Sequence, residues 1–280
     1  MKITLLTVLI LFSSYALSDT VQQNKLNAFY LTQDNKTESI ALLLHGTRGH
    51  QNLELISSLR ESLLDIGIDS LSINLSYGIE DRNNDFLPCD IHHQHTVKDS
   101  LDEIKLWYKF ISNKGYTKLY LIGHSRGALD ILNFYLNERD DLMNPDIIFL
   151  LAPIIDSDYD HKINYQANHN IDIESINIKD NLSINFLGCE KALVSGKTFK
   201  SYYYNPETKS LTEALESSSI QIRVITGSED TITPNTHQAV QDLVSVNKNI
   251  RLFQIEDSDH FFRDFYFDDL MEIISTEVEK

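Results

Sequence analysis

Short apolar runs alternate with amphipathic stretches along most of this chain, and that alternation restricts its fold more than any other feature. Residues 40–44, 118–122 and 147–151 are apolar or nearly so, and residues 69–75, 220–225 and 250–255 read as further strands. Between them, residues 51–67 set Leu55, Ile56, Leu59, Leu63 and Ile66 on one helical face and end on Gly67, a suitable residue just past a helix C-terminus. Thr96-x-x-Asp99 has the form of a capping box. It opens a helix whose Leu101, Ile104, Trp107 (or Tyr108) and Ile111 line one side. Helical patterns also run from Ser125 to about Leu136, across 234–244, and from about Phe262 to Val278. Strand–helix–strand alternation predicts a mostly parallel, doubly wound sheet with helices on both faces. Strands that are apolar throughout fit burial on both sides. There is no internal repeat.

The strongest chemical signal is Gly123-His124-Ser125-Arg126-Gly127, placed between an apolar strand and a helical pattern. That is the setting of a nucleophile elbow. A serine in a tight strand-to-helix turn needs small residues two before and two after it, because the two backbones approach closely. The turn exposes Oγ and aims a helix N-terminus at the site. His45-Gly46-Thr47-Arg48-Gly49 ends the strand at 40–44 and supplies a loop able to present a backbone N–H beside Ser125. The donors expected for an oxyanion are the N–H groups of Thr47 and Arg126.

With these two motifs the chain resembles the α/β-hydrolase superfamily, from about Ile40 to the C-terminus. The resemblance implies an α/β-hydrolase fold with a cap or lid insertion at about 153–219, a stretch rich in Asn, Asp, Ser and Tyr. It also implies a triad in the chain order serine, acid, histidine. Gly227-Ser228-Glu229-Asp230-Thr231-Ile232-Thr233-Pro234 resembles the family's G-x-x-D-x-x-x-P loop and makes Asp230 the acid, with Glu229 the competing carboxylate. His260 stands after the next strand, where the family places its base. In these roles His260 takes the Ser125 proton, Asp230 orients the imidazole, and an acyl-enzyme forms that water cleaves. No metal or organic cofactor is needed. The activity implied is serine hydrolysis of a carboxylic ester, the partner being a small-molecule ester. A peptidase or amidase and an acyltransferase share the same machinery, and a non-catalytic binding protein on this scaffold is the alternative from another class.

Composition narrows the partners. The 280 residues carry 41 acidic and 24 basic side chains, a net charge of −17, which disfavours nucleic acid and anionic lipid because both need a basic face. Residues 1–18 read as a secretory signal peptide: Lys2, an apolar run over 3–12, and small residues at Ala16 and Ser18. No other stretch approaches membrane length, so a single exported domain over 19–280, periplasmic or secreted and without stable membrane insertion, is expected. The oligomeric state is left open. In an oxidising compartment Cys89 and Cys189 are expected to pair, the alternative being two separate buried thiols. His92, His93 and His95 read as a polar loop, with zinc or copper ligation the sharper alternative. Tyr202, Tyr203 and Tyr204 read either as the lining of an acyl or aromatic pocket or as ordinary packing.

Overall fold

In the computed structural model, which describes residues 16–34, 37–138 and 143–280, the apolar runs become the middle of one sheet. In chain order the elements begin with β1 (Ala16–Gln23), β2 (Leu26–Gln33), β3 (Ser39–Leu44), α1 (Glu54–Asp65), β4 (Asp69–Ile73) and the short β5 (His92–His93). Then come α2 (Val97–Ser112), β6 (Lys118–His124), α3 (Arg126–Glu138), β7 (Ile147–Leu151), α4 (Asp158–His169), β8 (Asn181–Phe186) and β9 (Cys189–Ser195). The chain continues with α5 (Gly196–Tyr203), α6 (Leu211–Glu216), β10 (Ile222–Gly227), α7 (Thr236–Val244), β11 (Ile250–Ile255) and α8 (Phe265–Val278). The main sheet has the order β1-β2-β4-β3-β6-β7-β10-β11. β2 runs antiparallel to both of its neighbours, and every later pair is parallel.

The two-residue period of the strands divides the core in two. Ile40, Leu42 and Leu44 of β3, Leu119 and Leu121 of β6, and Ile148 and Leu150 of β7 face one side. There they meet Ile104, Trp107 and Ile111 of α2, Leu129 and Leu132 of α3, and Val240 of α7. Ala41, Leu43, Tyr120, Ile122, Phe149 and Leu151 face the other side, under Leu55, Leu59 and Leu63 of α1 and Leu270 and Ile274 of α8. Each fully buried side chain of this size contributes roughly 1.5–3 kcal/mol. Burial on both sides is why these strands are apolar runs and not alternating ones.

Local signals act as the sequence predicts. Past α1, Gly67 adopts φ +81°, its N–H bonds to the Leu64 carbonyl at 3.0 Å, and the Ile68 N–H bonds to the Leu63 carbonyl at 2.9 Å. These are the two bonds of a Schellman ending. The capping box of α2 is complete: Asp99 Oδ2 accepts from the Thr96 N–H at 2.7 Å, and Thr96 Oγ1 from the Asp99 N–H at 3.3 Å.

Three features were not evident in the sequence. The β1–β2 hairpin extends the sheet on the side away from β3, and a signal peptide ending at Ser18 would overlap β1 at Ala16–Ser18; residues 1–15 lie outside the described residues. Within the stretch 153–219, β8 and β9 form an antiparallel hairpin, and β5 adds to β9 in parallel, giving a second, three-stranded sheet. His93 and His95 are buried beside Phe186 and do not lie on a polar loop; only His92 is exposed. Among the described residues no group of three His, Cys, Asp or Glu side chains is placed to hold a metal, and no helix is long and apolar enough to cross a membrane.

Cys89 and Cys189 are bonded, with Cα atoms 5.4 Å apart, and tie the loop before β5 to the start of β9. Closing a loop of this length removes unfolded-state entropy equivalent to about 4–5 kcal/mol in the chain-entropy model. The double variant Cys89→Ser/Cys189→Ser is therefore expected to unfold at distinctly lower denaturant than the oxidised protein. An unchanged midpoint would show that the bridge does not restrain the fold.

Candidate active site

Ser125 sits between the last residue of β6 and the first of α3, with φ +55°. A non-glycine residue in this region costs on the order of 1–3 kcal/mol and persists only where its surroundings hold it. They do so here: the Ser125 N–H bonds to the Leu151 carbonyl at 2.8 Å, and its carbonyl accepts from the Ala128 N–H at 3.2 Å. The flanking glycines have steric reasons. A Cβ on Gly123 would come within 2.5 Å of the Gly127 carbonyl oxygen, and one on Gly127 would collide with the His45 carbonyl oxygen. Helix α3 thus starts directly against the end of β3, bringing the 45–49 loop to Ser125.

That loop is fixed from behind. His45 Nε2 accepts from the Leu75 N–H at 3.3 Å, so Nδ1 carries the proton and donates to the Gly46 carbonyl at 2.9 Å. Arg82, which the sequence did not single out, donates to the carbonyls of Leu75 at 2.8 Å, Arg48 at 3.2 Å, Asp85 at 2.9 Å and, closer still, Gly49. Asn74 joins the network by accepting from Arg82 and from the Gln51 N–H. Arg82 therefore gathers the carbonyls of the loop to one side.

On the far side of Ser125, Asp230 Oδ2 accepts from His260 Nδ1 at 2.7 Å and from Thr233 Oγ1 at 2.6 Å. Oδ1 accepts from the N–H groups of Ile232 and Thr233, both at 2.8 Å. Burial alone would raise this carboxyl, but the bonds from His260 and Thr233 outweigh it and hold it well below the usual carboxylate range. Glu229, the competing carboxylate, is exposed. His124 donates from Nε2 to the His260 carbonyl at 3.0 Å, so the residue before Ser125 fastens the loop that carries His260.

Ser125, His260, His124 and Thr47 all line one cavity of about 550 Å³, whose remaining wall includes Leu53, Phe86, Ile232, Phe261 and Phe267. His260 makes its side-chain hydrogen bond to Asp230 and none directly to Ser125, a contact that is often long in ligand-free enzymes. Arg126 is the first residue of α3, and its side chain turns away to bond Asp156 through both terminal nitrogens, at 2.8 and 3.1 Å. The Asp-x-x-Thr turn around Asp230 was legible in principle, since aspartate commonly accepts from the N–H two residues on. Nothing local marks Arg82. Of the three tyrosines, Tyr202 and Tyr203 are buried and Tyr204 is about one-third exposed; none lines the cavity of Ser125.

No family model matches the chain, and no curated protein matches it by sequence. Solved structures do match. Est1E from Butyrivibrio proteoclasticus superposes with a TM-score of 0.69 at 17% identity, covering 94% of this chain and 99% of that one. A putative esterase from Staphylococcus aureus gives 0.64 at 14%, over 95% and 84%. XC6422 from Xanthomonas campestris, described as an α/β serine hydrolase without a lid, gives 0.57 at 15%, over 98% and 97%. With the sheet order above, these similarities establish the α/β-hydrolase fold.

The buried histidines set an acid limit. Burial, followed by the charge of Arg82, lowers His45 to about 3; burial, followed by His260, lowers His124 to about 3. Both folded values lie below the ordinary 6.5, so this stabilisation is complete above about pH 6.5 and is lost as the pH falls toward 3. The depressed Asp230 carboxyl acts in the same direction at the acid end. The melting temperature should therefore drop between about pH 6 and 3, and less steeply in His124→Asn. Parallel pH profiles for the two proteins would contradict this assignment.

Proposed function

We propose that this chain is an exported serine hydrolase that cleaves a carboxylic ester through Ser125, His260 and Asp230. One observation carries the reading: a serine held at φ +55° at a helix start shares a cavity with a histidine whose other nitrogen is bonded at 2.7 Å to a buried, ionised aspartate. Serine is a weak nucleophile until a base takes its proton. His260 Nε2 receives that proton as Oγ attacks the ester carbonyl. Asp230 holds the proton on Nδ1 and stabilises the imidazolium. The N–H groups of Thr47 and Arg126 receive the oxyanion, and removing one donor of this kind costs about 10²–10³ in turnover. His260 returns the proton to the departing alcohol. Water, activated by the same imidazole, then releases the acid.

The apolar and aromatic cavity wall supports an alkyl or aryl acid portion. Est1E is described with ferulic acid bound, and an aryl acid of that size is compatible with a wall of Phe86, Phe261 and Phe267. The stretch 153–219 is proposed to serve as the cap of a single domain over 19–280. Export is supported by the apolar leader and by the Cys89–Cys189 bridge.

A p-nitrophenyl ester series from about two to sixteen acyl carbons tests the reaction. Wild type should hydrolyse part of the series, the optimum sizing the cavity. Ser125→Ala and His260→Ala should each lose roughly 10⁴–10⁶-fold in kcat, and the double variant little more, because the residues act as a unit. Activity retained in Ser125→Ala would refute the mechanism.

A further inference from the structure

A second cavity, of about 600 Å³, lies between α3 and the insertion. Arg126 and Asp130 of α3 line it together with Tyr202, Asn205, Pro206 and residues 208–210. Asn133 fastens that segment, donating to the Lys209 carbonyl at 3.0 Å and accepting from the Lys209 N–H at 2.8 Å.

Most charged groups in the wall are already answered. Asp156 takes the two terminal nitrogens of Arg126 and, at 2.7 Å, His161 Nε2. Glu213 accepts from the N–H and hydroxyl of Ser210, and Lys209 donates to Ser217. One group is left facing the cavity. Asp130 is only 6% exposed, and its carboxylate has no hydrogen bond or ion pair among the described residues. Arg126 Nε also lacks a partner, but it has almost no accessible surface and is closed to the cavity. Burial pushes Asp130 up to about 7, with the charge of Arg126 opposing it. A buried carboxylate with no partner destabilises a fold, and the ester chemistry makes no use of it.

A ligand that answers Asp130 must donate to a carboxylate without setting a second positive charge beside the Arg126 guanidinium. An ammonium ion would satisfy Asp130 but sit against Arg126. An anion would be repelled by Asp130. A hydroxyl donates and accepts without bringing a charge. We propose that this cavity binds an uncharged polyhydroxyl group, a sugar or smaller polyol, one hydroxyl donating to Asp130 and its neighbours meeting the polar wall of Ser157, Asn205 and Thr208. Two sources share that chemistry: the alcohol portion of an ester substrate, and a free polyol. The first rests on the ester-hydrolase reading; the binding itself does not.

The test is calorimetric titration of the Ser125→Ala protein, in which turnover does not intervene, with D-glucose, D-xylose and glycerol. Saturable binding of at least one is expected, weakened at least tenfold by adding Asp130→Leu. Removing an unpartnered buried charge should also raise the melting temperature. Asp130→Asn, which keeps an acceptor oxygen at nearly the same shape, should bind with intermediate strength and serves if the leucine variant does not fold. With Ser125 restored, KM values for glyceryl monobutyrate and p-nitrophenyl butyrate separate the sources. A rise in Asp130→Leu confined to the glyceryl ester marks the alcohol portion. Unchanged KM values with polyol binding lost mark a free polyol. Absence of saturable binding by all three probes overturns the proposal, as does binding that Asp130→Leu leaves intact. Binding of ethanolammonium in their place overturns it too.

Discussion

The close crossing of α3 over the end of β3 is the contact on which the rest of the site depends. Gly127 lies against the carbonyls of Leu44 and His45, and Gly123 against the first turn of α3. No side chain fits in either gap. Because they are closed, Ser125 is forced into the left-handed region, and the 45–49 loop is brought beside it. The strain at Ser125 is borne by a sheet buried on both faces, whose middle strands have no exposed side to relax toward. Stability in the core and strain at the turn are thus parts of one design.

Around the turn the polar groups are arranged with few spare partners. Arg82 draws together the carbonyls of the 48–49 loop, and His45 in a single tautomer ties Gly46 to Leu75. His124 fastens the carbonyl of His260, while Thr233 and two backbone N–H groups hold Asp230. Each bond orients a group that would otherwise sample several rotamers, the kind of preorganisation that makes electrostatic stabilisation effective. The insertion is joined to the body by the Cys89–Cys189 bridge and by an aromatic cluster in which Phe186 meets His93, His95, Tyr202 and Tyr203. Asp130 stands apart as a buried carboxyl with no hydrogen bond or ion pair among the described residues, and it lines a cavity.

The parts of this molecule that were readable from sequence are those governed by local rules. Apolar runs gave β3, β6 and β7; helical spacing, Gly67 and the Thr96–Asp99 box gave α1 and α2. The pentapeptide around Ser125 could be read because its glycines are demanded by backbone contact. Asp230 and His260 followed only from the order in which a resembling fold places them, and the structure then joins them by a hydrogen bond. The β1–β2 hairpin and the β5-β9-β8 sheet were not readable, because short half-exposed strands with mixed polar residues carry no firm period. Arg82 was invisible for another reason: most of its partners are backbone carbonyls from two loops, and no residue type marks a carbonyl.

The central claim is that Ser125 is an activated nucleophile and not merely a strained turn residue. Reaction with a fluorophosphonate followed by peptide mapping addresses it without assuming any substrate. The account predicts a single stoichiometric adduct on Ser125, formed far more slowly when His260 is replaced by alanine. An unlabelled protein, or an adduct on another residue with Ser125 untouched, would contradict it.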